Sequence, residues 1–114
     1  MTMASAIARI LEELRHCGGL KSTDVANVVH VSPSTVSRWS RGKGTPPLHT
    51  QTVIADLRYI VDRLSDFYTP DEARLWLHAK HPLVDNERAI DLIFHGRTEQ
   101  VLAVIERLDA GSFL

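Results

Sequence analysis

Positions 33 to 41 read PSTVSRWSR, a run in which hydroxyls and guanidiniums surround two apolar side chains. Laid out as an α-helix at about 100° per residue, Val36 and Trp39 define one side, and Ser34, Ser37, Arg38 and Arg41 fall within about 50° of the opposite direction. These groups suit a DNA groove. Arginine pairs bidentately with guanine, and serine or threonine hydroxyls bond bases or phosphates. Ser32 and Thr35 add hydroxyls at the start of the run, and Lys43, just beyond it, suits a phosphate. The expected DNA-contacting set is therefore Ser32, Ser34, Thr35, Ser37, Arg38, Arg41 and Lys43. Any small exposed helix shows Ser and Arg, but the paired-helix spacing around this one weighs for a reader of DNA.

Other constellations carry less. His78 and His81 lie about one helical turn apart and His95 follows, but a metal site needs further ligands, so these read as surface or lightly buried histidines with no metal expected. Ser, His and Asp occur without a nucleophile-elbow glycine pattern, a phosphate-cradling loop or a dinucleotide fingerprint. Neither an enzyme nor a cofactor is expected. The single cysteine, Cys17, has no partner for an internal disulfide and no zinc-site spacing, and reads as a structural residue of a reducing compartment. No stretch approaches the roughly 18 apolar residues of a membrane span, and the first residues lack signal-peptide order. A cytoplasmic protein with no membrane contact is expected.

The groove-reading run needs a scaffold, and the surrounding sequence is helical. Ile7, Ile10, Leu11 and Leu14 recur at i, i+3, i+4, i+7, predicting a helix over about 4–16 that Gly18 and Gly19 stop. Ser22 is placed to cap a second helix through Val25, Ala26, Val28 and Val29, ending before His30. Pro33 opens the third, at about 33–41, because its missing N–H would have no partner there. Gly42, Gly44, Pro46 and Pro47 mark a loop. From Thr50, the residues Val53, Ile54, Leu57, Ile60, Val61, Leu64 and Phe67 predict the longest helix, the spine of the chain. Thr69, Pro70, Asp71 and Glu72 supply a cap, a first-position proline and an acidic first turn for a short helix carrying Leu75, Trp76 and Leu77. Another short run spans Ile90 to Phe94 before Gly96, and Thr98 caps a last helix through Val101, Leu102, Val104, Ile105 and Leu108 to Gly111. No period-two alternation persists, so the expected fold is all-α with about seven helices and no strand.

At 114 residues with 44% hydrophobic and 24% charged side chains, the chain has enough apolar material for one core, alone or with a small appendage. Its net charge of −1 hides an asymmetry. Residues 1–50 hold six basic and three acidic side chains, and the remaining 64 hold seven and eleven. The first part is suited to an anionic partner and the second to something else. The segment after Thr69 is near the size at which isolated domains become marginal, so it is expected to lean on the long helix or on a partner.

The stretch STDVANVVHVSPSTVSRW, Ser22 to Trp39, resembles the helix-turn-helix of the Xre and lambda-repressor family. Two short helices lie about three residues of turn apart, one to enter the major groove and one to brace it. The resemblance rests on Ala26, small enough to let the helices close, on Val31 in the turn, and on Val36 and Trp39 facing the core. It covers about residues 4–67. His30 stands where the family has glycine, and histidine tolerates positive φ at some energetic cost.

The later stretch LWLHAKHPLVDNERAIDLIFHGRTEQVLAVIERLDAGSFL resembles the C-terminal toxin-binding domain of Xre/MbcA/ParS-type antitoxins. Its signposts are Trp76, the run Ile90-Asp91-Leu92, Gly96, Val101 and Gly111, with Ala89 where the family commonly has proline. The resemblance implies an Xre-like DNA-binding domain over 1–68 and a small helical toxin-binding domain over 69–114. It also implies the partners: a cognate RES-domain toxin that destroys NAD, operator DNA bound by a homodimer, and larger hetero-oligomers with the toxin. Trp76, Asp91 and Gly111 are then expected to bind toxin. Ser112, Phe113 and Leu114, an apolar tail with an anionic tip after a helix-breaking glycine, are expected to obstruct its NAD entrance. The alternative is a stand-alone Xre-type regulator whose second half dimerises or senses a small ligand, and the neighbouring reading frame separates the two.

Overall fold

The computed structural model describes residues 2–110, which form seven α-helices and one two-stranded ribbon. Helix α1 (Met3–Gly18) is capped by the Thr2 hydroxyl, which accepts from the Ser5 N–H at 3.1 Å, and closes on Gly19 in the left-handed region at φ 61°. Helix α2 (Ser22–Val29) starts one residue earlier in the capping scheme than expected. Lys21, not Ser22, is its cap residue, and the Asp24 carboxylate accepts the Lys21 N–H at 3.0 Å. Helix α3 (Pro33–Ser40) has Ser32 as its cap and proline at its first turn.

Helix α4 (Leu48–Leu64) begins directly after Pro47, earlier than Thr50, where the Pro47 carbonyl accepts the Gln51 N–H at 3.0 Å and the Gln51 side-chain amide donates to the Pro46 carbonyl at 2.8 Å. It stops at Leu64, where Asp66 and Phe67 donate to the Arg63 and Leu64 carbonyls in tight three-residue turns. Phe67 therefore leaves the apolar stripe and is exposed. Helix α5 (Pro70–His78) has the expected reciprocal cap: Thr69 Oγ1 accepts from the Glu72 N–H, and the Glu72 carboxylate accepts from the Thr69 N–H.

The chain does contain strands. Lys80–His81 (β1) pairs antiparallel with Glu87–Arg88 (β2), with Lys80 opposite Arg88 and His81 opposite Glu87. Two residues each are too few to display alternation. The reversal is made by a 3-10 turn at Pro82–Val84 and by Asp85 and Asn86, both at φ 59°, a conformation their short polar side chains tolerate. Helices α6 (Ala89–Phe94) and α7 (Thr98–Asp109) complete the fold. Thr98 is not the α7 cap; its hydroxyl donates instead to Asp56 of α4 at 3.0 Å, fastening α7 to the spine.

One core runs through all of this. Leu11 and Leu14 of α1, Ile54, Leu57, Ile60 and Leu64 of α4, Leu77 of α5, Ile93 of α6 and Ile105 of α7 belong to the same buried cluster. Helix α4 packs on α1 and also on α6 and α7. The segment after Thr69 leans on the long helix, as its size requires. Cys17 is not part of that core and is exposed, contrary to the structural role expected of it. No helix among the described residues is long and apolar enough to cross a membrane.

Candidate functional site

Helix α3 is built to show one face. Val36 and Trp39 are 1% and 7% exposed and anchor it on α1 and α2, while Ser34, Arg38 and Arg41 face outward with Ser37 half-buried beside them. Lys43 is exposed on the loop that follows, and its N–H donates to the Arg38 carbonyl at 2.9 Å. At the other end the Ser32 hydroxyl lies 3.1 Å from Ser34 Oγ and 2.8 Å from Thr35 Oγ1, a small hydroxyl cluster that also caps the helix. All seven residues expected to meet DNA thus lie on α3 or its flanks.

The turn that aims α3 has His30 in the left-handed conformation, φ 60° and ψ 47°, as its position in the sequence required. Its ring stacks on Phe94 of α6 with centroids 4.0 Å apart. Sequence reasoning missed a groove beside the exposed face of α3, lined by Arg9, Glu12 and Arg15 of α1, Lys21 before α2, Ser37 of α3 and Arg41 just after it. The charge balance of the first 50 residues did not signal it, because Glu12, Glu13 and Asp24 offset Arg9, Arg15 and Lys21 and leave the excess to Arg38, Arg41 and Lys43.

Across the molecule, the residues implied for partner binding gather on the ribbon. The Trp76 ring packs on His81 of β1 at 4.3 Å, and the His81 Nε2 donates to the Trp76 carbonyl at 2.9 Å. Asp91 takes a bidentate pair from Arg88 of β2, at 2.9 and 3.1 Å. Because β1 and β2 are hydrogen-bonded neighbours, Trp76 and Asp91 flank one small structure. Leu75, expected on the short helix, and Leu83, which the sequence had not singled out, are 64% and 42% exposed and add apolar surface. Gly111, Ser112, Phe113 and Leu114 lie outside the described residues. His78 and His95 each donate from Nδ1 to the carbonyl four residues earlier, at 2.8 Å.

The one buried charge among the described residues joins the two regions. Asp24, 3% exposed, holds Arg74 of α5 through Nε at 3.1 Å and Nη2 at 2.9 Å, with His78 Nε2 at 3.7 Å. Burial pushes the carboxyl upward, but the Arg74 and Lys21 hydrogen bonds and the nearby charges of Arg74 and His78 outweigh it and hold the group below its ordinary 3.8.

Residues 6–67 match the family described as helix-turn-helix domain, more than half of the chain. A probable mycobacterial cidal antitoxin of Mycobacterium tuberculosis is 36% identical over 96 residues, 84% of this chain and 82% of that protein. The chain belongs to the mycobacterial cidal antitoxin family. Mycobacterial cidal antitoxin MbcA of M. tuberculosis is 29% identical over 112 residues, covering 98% of this chain and 96% of that one. The crystal structure of the M. tuberculosis MbcT–MbcA toxin–antitoxin complex contains a chain that superposes with a TM-score of 0.79 at 28% identity, over 100% of this chain and 99% of that chain. Membership of the antitoxin family bears out the resemblance read from the helix-turn-helix, Trp76 and Ile90-Asp91-Leu92, and the all-α architecture with it.

Proposed function

We propose that this antitoxin-family chain silences a cognate RES-domain toxin that consumes NAD, and represses the promoter it shares with that toxin. The observation that carries the reading is the likeness along the whole chain, C-terminal segment included, to an antitoxin crystallised with its toxin. In this reading residues 1–68 meet DNA and residues 69–114 hold the toxin. Trp76 and Asp91 sit at the docking surface, and Gly111, Ser112, Phe113 and Leu114 enter the NAD cleft as an apolar plug. On the DNA side, a dimer places two copies of α3 in successive major grooves. Ser32, Ser34, Thr35, Ser37, Arg38 and Arg41 then face base edges and nearby phosphates, while Arg15, Lys21 and Lys43 follow the backbone. The chain works in the cytoplasm, where its substrate-consuming partner and its operator are.

The deciding experiment mixes the purified chain with the RES-domain protein expected from the neighbouring reading frame and measures NAD remaining. NAD should persist with the full chain and disappear when residues 111–114 are deleted, with melting temperature and operator affinity unchanged by the deletion. Neutralisation by the truncated chain would move the inhibitory contact to the surface around Trp76 and Asp91. Operator binding with no neutralisation at all would favour a stand-alone regulator.

A further inference from the structure

We propose that α5 and α6, which lie outside the helix-turn-helix, position the recognition helix by holding α2 at both of its ends: Arg74 and His78 on Asp24 at the first turn, Phe94 on His30 at the last. The first grip is directional. One Asp24 oxygen accepts both the Lys21 N–H, at 3.0 Å, and Arg74 Nε, at 3.1 Å, while the other accepts Arg74 Nη2 at 2.9 Å. A guanidinium fork on a carboxylate fixes the plane of both groups, and here the carboxylate also accepts the N–H of Lys21, the cap residue of α2. The second grip sits on the turn itself. A left-handed histidine costs about 1–2 kcal/mol over a glycine, and glycine at His30 would meet the backbone requirement with no ring to lay on Phe94 at 4.0 Å. His49 at the start of α4 approaches the same ring at 5.5 Å, so Phe94 is seated from two sides.

Between these grips, α2 holds α3 through the buried residues Ala26, Val29 and Val36 and through the Val31 N–H, which donates to the Ala26 carbonyl at 3.1 Å. A change in the tilt of α2 is therefore carried into α3. Asp24, Arg74, His30 and Phe94 are positioning residues for DNA reading, although none of them lies on the reading face. The DNA readout of this inference rests on the proposed DNA function; the exchange readout does not.

Two variants of the full chain separate positioning from bulk stability. Asp24→Asn with Arg74→Gln removes the ion pair without stranding a buried charge, and His30→Gly removes only the stack while easing the backbone. Amide hydrogen exchange is followed along the chain, and affinity is measured for a duplex from upstream of its own reading frame and for a scrambled duplex. Both variants should fold, with amides of residues 25–29 and 36–40 exchanging about fivefold faster relative to those of α4 and α7. The ratio of the two affinities should fall about fivefold, with the scrambled affinity nearly constant. Exchange accelerated equally in α4 and α7, or an unchanged pattern, would overturn the inference. A wild-type chain that does not distinguish the duplexes defeats the DNA reading, and the exchange pattern alone then decides the positioning role.

Discussion

Trp39 carries the reading face by being hidden from it. Its ring is 7% exposed, so Trp39→Ala should cost about 3–5 kcal/mol, comparable with the roughly 5–15 kcal/mol total of a small domain, as read by urea unfolding. A loss under about 1 kcal/mol would mean that the neighbours close the space the indole leaves. Two glycines with positive φ test a different cost. An added Cβ at Gly19 (φ 61°) would lie 2.9 Å from the Pro70 carbonyl oxygen, whereas at Gly42 (φ 73°) it would meet nothing within 4 Å. Gly42→Ala should therefore cost only the backbone term, about 1–2 kcal/mol. Gly19→Ala should cost clearly more, because a main-chain atom cannot swing aside. Equal melting temperatures for the two variants would show that the α1–α5 approach relaxes freely.

At the scale of elements, under the proposed function α3 and the loop after it divide the work of binding DNA. Arg38→Ala should weaken a specific duplex by about 1–3 kcal/mol and relax its sequence preference. Lys43→Ala should lower the salt slope by about 0.9 with equal loss on any sequence. Titrations at several salt concentrations distinguish the two, and equal losses from Arg38→Ala on specific and random DNA would reduce it to a backbone contact. Helix α2 has its own pH signature. Asp24 releases its proton more readily folded than unfolded, so its contribution is complete above the ordinary 3.8 and disappears as pH falls through the lower folded value. Wild type should melt above Asp24→Asn at neutral pH, and the two curves should converge in acid. Parallel curves would mean that the pair with Arg74 contributes nothing to folding. The helices themselves were legible because their signals are local: Pro33 after Ser32, the Thr69–Glu72 box, the stripe from Val53 to Leu64. Positions decided by distant partners were not. Thr98 reads as a cap until Asp56 claims its hydroxyl, Asp24 has no role in the sequence until Arg74 arrives from 50 residues away, and the ribbon is too short for any periodicity.

At the scale of the molecule, α4 is common property. It is covered by α1 on one side and by α6 and α7 on another, and the described residues extend 42 × 23 × 21 Å around it. The chain should therefore unfold in one transition, with calorimetric and van't Hoff enthalpies equal. The fragment 1–68, deprived of α6, α7 and Arg74, should be far less stable than the whole. Two resolved transitions, or a fragment as stable as the full chain, would show that the halves fold independently. The asymmetry in charge between the halves fits the two tasks of the proposed function, but nothing in composition reveals that both halves rest on the same buried leucines and isoleucines. That shared core bears on how long the protein lasts in a cell. A protease acts on the opened chain, and with one shared core global unfolding exposes both halves together. Under the proposed function, each degradation event removes one operator ligand and one toxin ligand together, so turnover leaves no half-molecule competing for either target.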